Sequence, residues 1–150
     1  MIRRIGAAPE REKRHRLRPG VYTLLPLEDQ LLLTCQWRSS EPLQLPGGGI
    51  DPGEAPVAAL HREVREETGW KIAAPRRIGA WRRFVFMPEY DLWAEKLCTI
   101  YVAHPVRPLG PPEEDGHEVI FVPITEAGKL LSNPVDRAAL ARALAAGALG

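Results

Sequence analysis

Cysteine and methionine are scarce in this 150-residue chain, two of each, and aromatic residues make up only 7%. Cys35 and Cys98 lie far apart, each inside an apolar run. They read as buried thiols, which excludes a disulfide scaffold and a cysteine-based metal site. No apolar run approaches the roughly 18–20 residues needed to cross a bilayer. The opening Met1-Ile2-Arg3-Arg4 lacks the apolar stretch of a secretory leader. A cytoplasmic protein without membrane contact is therefore expected. Net charge is nearly absent too, at +1, and its distribution tells more than its sum.

Residues 3 to 18 carry Arg3, Arg4, Arg11, Lys13, Arg14, Arg16 and Arg18 against Glu10 and Glu12. Such a stretch can attract RNA or polyphosphate. A surface-lying or mobile basic arm is the more ordinary fate of a charged terminus. The expected division is an arm over 1–19 and one domain over 20–150, since this length supports one well-buried core and not two. Nucleic acid is not expected as a partner. Hydrophobic content of 45% and charged content of 26% are those of a soluble globular domain. Proline, at 15 residues, is about twice its usual share of roughly 5% and falls mostly in the predicted connections.

Val21–Leu25 and Leu31–Cys35 are apolar runs separated by Pro26-Leu27-Glu28-Asp29-Gln30, the pattern of a hairpin of buried strands. Leu43–Leu45 adds a short strand, and Ile78–Met87, Leu97–Val106 and Glu118–Val122 read as three more. Helical patterns follow over Ile124–Leu131 and over the alanine-rich Asp136–Ala146, with Leu140 and Leu144 on one face. Strands on both sides of a central helix, followed by a helical C-terminus, predict a mixed sheet covered on both faces.

The central helix is expected over Pro56–Thr68, because Val57, Leu60 and Val64 recur at i, i+3 and i+7. Pro56 suits the first helical turn and Gly69 the position past the end. Ala55 is a poor cap, so the nearby negative Glu54 is expected to supply part of the missing stabilisation. Glu63, Glu66 and Glu67 fall at i, i+3 and i+4, which puts three carboxylates on one flank. Unaccompanied, each such pair costs about 0.2–0.5 kcal/mol. A bound Mg²⁺ or Mn²⁺ would reverse that sign, and carboxylate oxygens suit these hard cations better than zinc. The preceding Leu45-Pro46-Gly47-Gly48-Gly49-Ile50-Asp51-Pro52-Gly53 is a loop by composition. Its glycines permit close approach of backbone, so a carbonyl around Gly48 is placed to join the glutamates at a metal.

From Gly48 to Trp70 the chain follows the template G-x5-E-x7-R-E-U-x-E-E-x-G-U, with U a bulky apolar residue. Gly48, Glu54, Arg62, Glu63, Glu66, Glu67 and Gly69 fill every fixed position, with Val64 and Trp70 at the U positions. The segment resembles the Nudix box, the defining motif of the Nudix hydrolases. The resemblance implies an α/β/α sandwich and Mg²⁺-dependent hydrolysis, with Mn²⁺ as a substitute. The implied substrate is a small molecule, a nucleoside diphosphate linked to another group. Gly48, Glu63, Glu66 and Glu67 become candidate metal ligands, with Glu63 either completing the cluster or acting as general base. Arg62 is expected to hold Glu54 or orient the glutamates. A further acid outside the box often completes such sites, and Glu118 is favoured over Glu114, with Glu113 and Asp115 also at hand.

Substrate contacts are assigned to Arg82 and Arg83, in the aromatic and cationic segment Trp81–Lys96, and to Arg38. The competing reading of those aromatics is core packing. His15, His61, His104 and His117 show no metal-ligand spacing; His117, in an acidic loop, carries metal ligation only as a minor alternative. Leu45-Pro46-Gly47-Gly48-Gly49 lacks the Gln expected after Pro in many RNA and dinucleoside-polyphosphate pyrophosphohydrolases of the family. Two other functions stay open: a Nudix-fold nucleotide-binding or regulatory module without turnover, and a metal-independent RNA binder using the basic arm. A homodimer is among the assemblies the sequence allows.

Overall fold

In the computed structural model, which describes residues 2–150, the strands are β1 (Arg3–Arg4), β2 (Arg16–Leu24), β3 (Pro26–Leu27), β4 (Gln30–Gln36), β5 (Leu43–Gln44) and β6 (Gly47–Gly49). Helix α1 (Pro56–Thr68) follows, then β7 (Trp70–Met87), a single 3₁₀ turn at Pro88–Tyr90, β8 (Leu92–Pro108), β9 (His117–Pro123), α2 (Ile124–Leu130) and α3 (Pro134–Ala145). A mixed five-stranded sheet has the order β1-β7-β8-β2-β6, with β1–β7 and β2–β8 parallel. In the second sheet β4 pairs antiparallel with β3, β5 and β9.

Strand alternation explains why helices cover both faces. Leu31 and Leu33 of β4 and Cys98, Ile100 and Val102 of β8 turn toward α2 and α3, where Ala127, Val135, Ala139, Leu140 and Ala143 close one core. Val21, Leu32, Tyr101 and Ala103 point the other way and meet Ala59, Leu60 and Val64 of α1. This is an α/β/α sandwich. Fully burying a side chain such as Leu60 or Val64, both 0% exposed, contributes about 1.5–3 kcal/mol and fixes which flank of α1 faces outward.

Three local expectations are corrected. Val21–Leu25 and Leu31–Cys35 are not a hairpin: β2 lies between β8 and β6, while β4 belongs to the other sheet. The chain changes sheets at Leu25-Pro26, where the Leu25 carbonyl accepts the Leu32 N–H and the two-residue β3 folds back on β4, through Glu28 at φ +57°. Val57 is 42% exposed, so Ala59, Leu60 and Val64 form the buried stripe of α1 instead. Leu144 of α3 is likewise half exposed, its core place taken by Ala139 and Ala143.

The basic arm is tied to the sheet at two points. Arg3 and Arg4 pair in parallel with Trp81 and Arg82, and Ile5 packs on the core. Strand β2 begins at Arg16, so a division at residue 19 falls inside a strand. Strands β7 and β8 also run longer than expected, as a twisted ribbon with bulges near Ala73 and Arg77.

Candidate active site

Helix α1 starts without a side-chain cap at Ala55, with Pro56 in its first turn. Glu54 does not serve the helix start. Its carboxylate accepts two hydrogen bonds from Arg62, Nε to Oε2 and Nη2 to Oε1, each 2.8 Å. This forked pairing, with the Asp51 N–H, holds the Glu54 carboxyl down at about 2. The same guanidinium donates through Nη1 to Glu63 at 3.0 Å and to Glu66 at 3.2 Å, and through Nη2 to the Gly49 carbonyl at 3.1 Å. One arginine thus ties the glycine loop to two of the three carboxylates, offsetting the repulsion their spacing creates.

At its far end α1 closes on Gly69, whose φ of +75° only glycine adopts freely and whose N–H bonds the Arg65 carbonyl. The Glu66 carbonyl, free at the helix end, accepts the backbone N–H groups of Glu113 and Glu114 at 2.8 and 3.1 Å. Leu109 N–H bonds the Gly69 carbonyl. These contacts dock the acidic loop before β9 onto the glutamate helix, and they bring Glu114 within 4.8 Å of ligand atoms on Glu63 and Glu66.

Glu67 faces inward. Its side chain is 9% exposed, and Oε1 accepts the Gly47 N–H at 2.8 Å. Burial pushes its carboxyl well above the usual range, with the Gly47 hydrogen bond acting against that displacement and the neighbouring Glu63, Glu114 and Glu66 adding to it. Burial likewise raises Glu63, opposed by Arg62. Gly48 is in contact with Glu63: a Cβ there would lie 2.4 Å from Oε2. His117, at the first position of β9, places Nε2 3.0 Å from Glu114 Oε2 and Nδ1 3.6 Å from Glu67 Oε2. Thr34 Oγ1 lies 3.1 Å from the same Nδ1.

Gly48, Arg62, Glu63, Glu66 and Glu67 therefore meet, as the box pattern requires. Glu118 does not join them. Adjacent residues of a strand face opposite sides, and with His117 turned to the cluster, Glu118 turns away to accept a 2.6 Å hydrogen bond from Trp37 Nε1. Glu114 and His117 occupy the place proposed for it. The starting residue of β9 distinguishes these acids, and the Asp115-Gly116 turn dipeptide, with Gly116 at φ +82°, was the signal that could have placed that start at His117.

The cluster forms one wall of an open cleft of about 850 Å³. Arg38 and Arg83 line this cleft, whereas Arg82 turns to a half-buried ion pair with Glu95 at 3.0 Å. Arg83 is itself neutralised by both carboxylate oxygens of Glu41. Arg18 and Lys96, which the motif reading did not single out, also line it; with Arg38 they make no ion pair among the described residues. Phe86 and Tyr90 complete this wall, with the Arg18 guanidinium 4.9 Å from the Tyr90 ring centre.

Two layers of helix around strands, with a carboxylate helix opening on a cationic cleft, define the Nudix class of fold. The family model of the NUDIX domain matches residues 14–144, and the chain belongs to the Nudix family. It is 35% identical over 74 residues to a Bacillus subtilis protein assigned as an 8-oxo-dGTP diphosphatase, covering 49% of this chain and 50% of that one. It is 35% identical over 68 residues to an RNA pyrophosphohydrolase of Halorhodospira halophila, covering 45% and 38%. The chain thus spans half or less of these curated relatives. A NUDIX hydrolase from Nitrosomonas europaea superimposes with a TM-score of 0.71 at 19% identity, over 87% of this chain and 90% of that one. That likeness concerns the fold alone.

Proposed function

We propose that this protein is a divalent-metal-dependent pyrophosphohydrolase, cleaving a diphosphate bond in a nucleoside diphosphate linked to another group. The observation that carries this reading is the convergence of Glu63, Glu66, Glu67 and Glu114 beside a cleft whose opposite wall is cationic and aromatic. The named relatives act on different molecules, and a phosphoanhydride on a larger organic group is what they share.

The donor set suits a hard divalent cation. It consists mainly of carboxylate oxygens, and Glu67 Oε2, on a side chain more than nine-tenths buried, makes no hydrogen bond among the described residues. Glu63, Glu66, Glu67 and Glu114 would hold Mg²⁺, or Mn²⁺ in its place, with the backbone of Gly48 alongside. When bound, the cation neutralises charge on non-bridging phosphate oxygens and lowers the pKa of water.

The chain's own residues supply the rest. Arg62 fixes Glu63 and Glu66 through Nη1 and leaves Glu63 Oε2 free of hydrogen bonds, so that Glu63 either completes the cation's ligands or takes the proton from an attacking water. Arg18, Arg38 and Lys96 supply positive charge for phosphate, and Phe86 and Tyr90 supply flat apolar surface for a base. A panel of nucleoside diphosphate derivatives incubated with Mg²⁺ or Mn²⁺ tests this reading. Release of two phosphorylated products, abolished by chelation, is expected; inertness toward the whole panel with either cation would refute it.

A further inference from the structure

Trp37 is 67% exposed, more than any other large apolar side chain among the described residues, and it packs into neither core. An indole left in water contributes little by burial. Its one polar atom is nevertheless committed: Nε1 donates to Glu118 Oε2 at 2.6 Å, joining the residue just past β4 to the second residue of β9. Glu118 is exposed too, and this indole is its only side-chain hydrogen-bond partner among the described residues.

Arg38 stands next to it. The Ser39 N–H closes on the Gln36 carbonyl at 2.9 Å, so Trp37 and Arg38 are the two central residues of a turn. The neck of this loop is held by the Gln36 N–H on the Pro42 carbonyl at 2.8 Å, and its far side by Glu41, whose carboxylate clamps Arg83 and whose carbonyl accepts Gln44 Nε2. Trp37 supplies the side-chain tether at the tip. Gln36 lies opposite His117 in the β4–β9 ladder, so the turn rises beside the carboxylate cluster. Gln36 and Arg38 line the cleft and Trp37 does not. The turn therefore has an outer side pinned to Glu118 and an inner side that presents an unpaired guanidinium to the cleft.

We propose that the Trp37–Glu118 hydrogen bond positions Arg38 at the cleft wall to receive the substrate's phosphate oxygens, making Trp37 and Glu118 positioning residues that touch no substrate themselves. This rests on the hydrolase reading only for the identity of the anion. A turn free to pivot has to be ordered when the anion binds, and that ordering opposes binding; a turn pinned beforehand has already met the cost. The hydrogen bond suits the task because its acceptor is a carboxylate, which makes it stronger than a neutral pair. The acid that the sequence assigns to the metal acts here on an arginine, through an indole.

Calorimetry with the Mg²⁺ complex of methylenediphosphonate, a diphosphate analogue whose bridge water does not cleave, reads this without turnover. Trp37→Phe, which keeps an aromatic ring and removes the donor, and Glu118→Ala should each weaken binding about three- to tenfold, the range one hydrogen bond spans. Glu118→Gln keeps an acceptor and should recover most of that loss. In an Arg38→Ala background, Trp37→Phe should cost nothing further, because the two residues act through one contact. The sign is informative as well: removing the Glu118 charge would by its field alone favour an anion, whereas loss of positioning disfavours it. Additive losses in the double variant, tighter binding by Glu118→Ala, or a wild-type protein that does not bind the analogue would overturn the proposal. The expected pattern in a protein inert toward every diphosphate derivative would sink the hydrolase reading and leave the positioning standing; cleavage accompanied by additive losses would do the reverse.

Discussion

Gly48 and Glu63 occupy one another's space: a Cβ on Gly48 would lie 2.4 Å from Glu63 Oε2 and 2.5 Å from its carboxyl carbon. Gly48 is not among the residues of positive φ, so a side chain is excluded by the glutamate and not by the backbone. Gly48→Ala is expected to push the flexible end of Glu63 aside, changing stability by less than about 1 kcal/mol while removing most of the turnover. Chemical denaturation and steady-state kinetics of the variant check this, and near wild-type turnover would place the Glu63 carboxylate outside the reaction.

Glu66→Gln and Glu67→Gln should each lower turnover by orders of magnitude, yet they should differ in the metal-free protein. Glu67 is buried with its carboxyl raised well above the usual range, so removing its charge should stabilise the apo fold at neutral pH. Glu66 is 29% exposed and pairs with Arg62, so its replacement should leave apo stability within about 0.5 kcal/mol. Thermal melts in chelator, set beside turnover at saturating Mg²⁺, separate the two effects. Near wild-type turnover in either variant would remove that residue from the metal ligands.

Arg82 and Arg83 should separate cleanly. Arg83→Ala leaves Glu41 unpaired in the cleft, adding negative charge where the substrate's phosphates approach. KM should rise several-fold, with little change in the Mg²⁺ concentration needed for half-activation. Arg82→Ala removes a half-buried ion pair with Glu95 outside the cleft, so its kinetics should stay within about twofold of wild type. Steady-state kinetics on both variants, at saturating metal, would expose an error in this assignment if Arg82→Ala had the larger KM.

Asp136, in the first turn of α3, is 4% exposed, and burial raises its carboxyl to about 7 despite hydrogen bonds from Leu45 N–H and Asn133. The folded protein therefore holds this proton more tightly than the unfolded chain does. The resulting stabilisation is complete below about pH 4 and is lost as pH rises through about 7. Asp136→Asn keeps an acceptor and removes the charge. Relative to this variant, wild type should lose on the order of 4 kcal/mol between pH 4 and pH 8. Urea midpoints for the pair that stay parallel across that range would contradict it.

Where the sequence was legible, the information was local. The helix Pro56–Thr68, its stop at Gly69 and the meeting of Arg62 with Glu63 and Glu66 follow from spacing on one element. The misread residues depend on partners distant in the chain. Whether His117 or Glu118 faces the cluster depends on where β9 begins, which its pairing with β4 decides: Gln36 opposite His117, Cys35 opposite Glu118. Val21–Leu25 and Leu31–Cys35 have the apolar content of a hairpin but occupy different sheets, because nine residues of β2 pair along β8, some eighty positions away. Arg3 and Arg4 carry no strand signal, and only the free edge of β7 recruits them.

The two hydrogen bonds from Glu113 and Glu114 to the Glu66 carbonyl act as a gauge built from main chain. They set the reach from Glu114 to the glutamate helix without reference to the path of the loop that delivers it. Residues between Leu109 and Pro112 can therefore lengthen, shorten or change composition while the separation of the acids stays constant. Changes in that loop therefore leave the placement of Glu114 to the helix end.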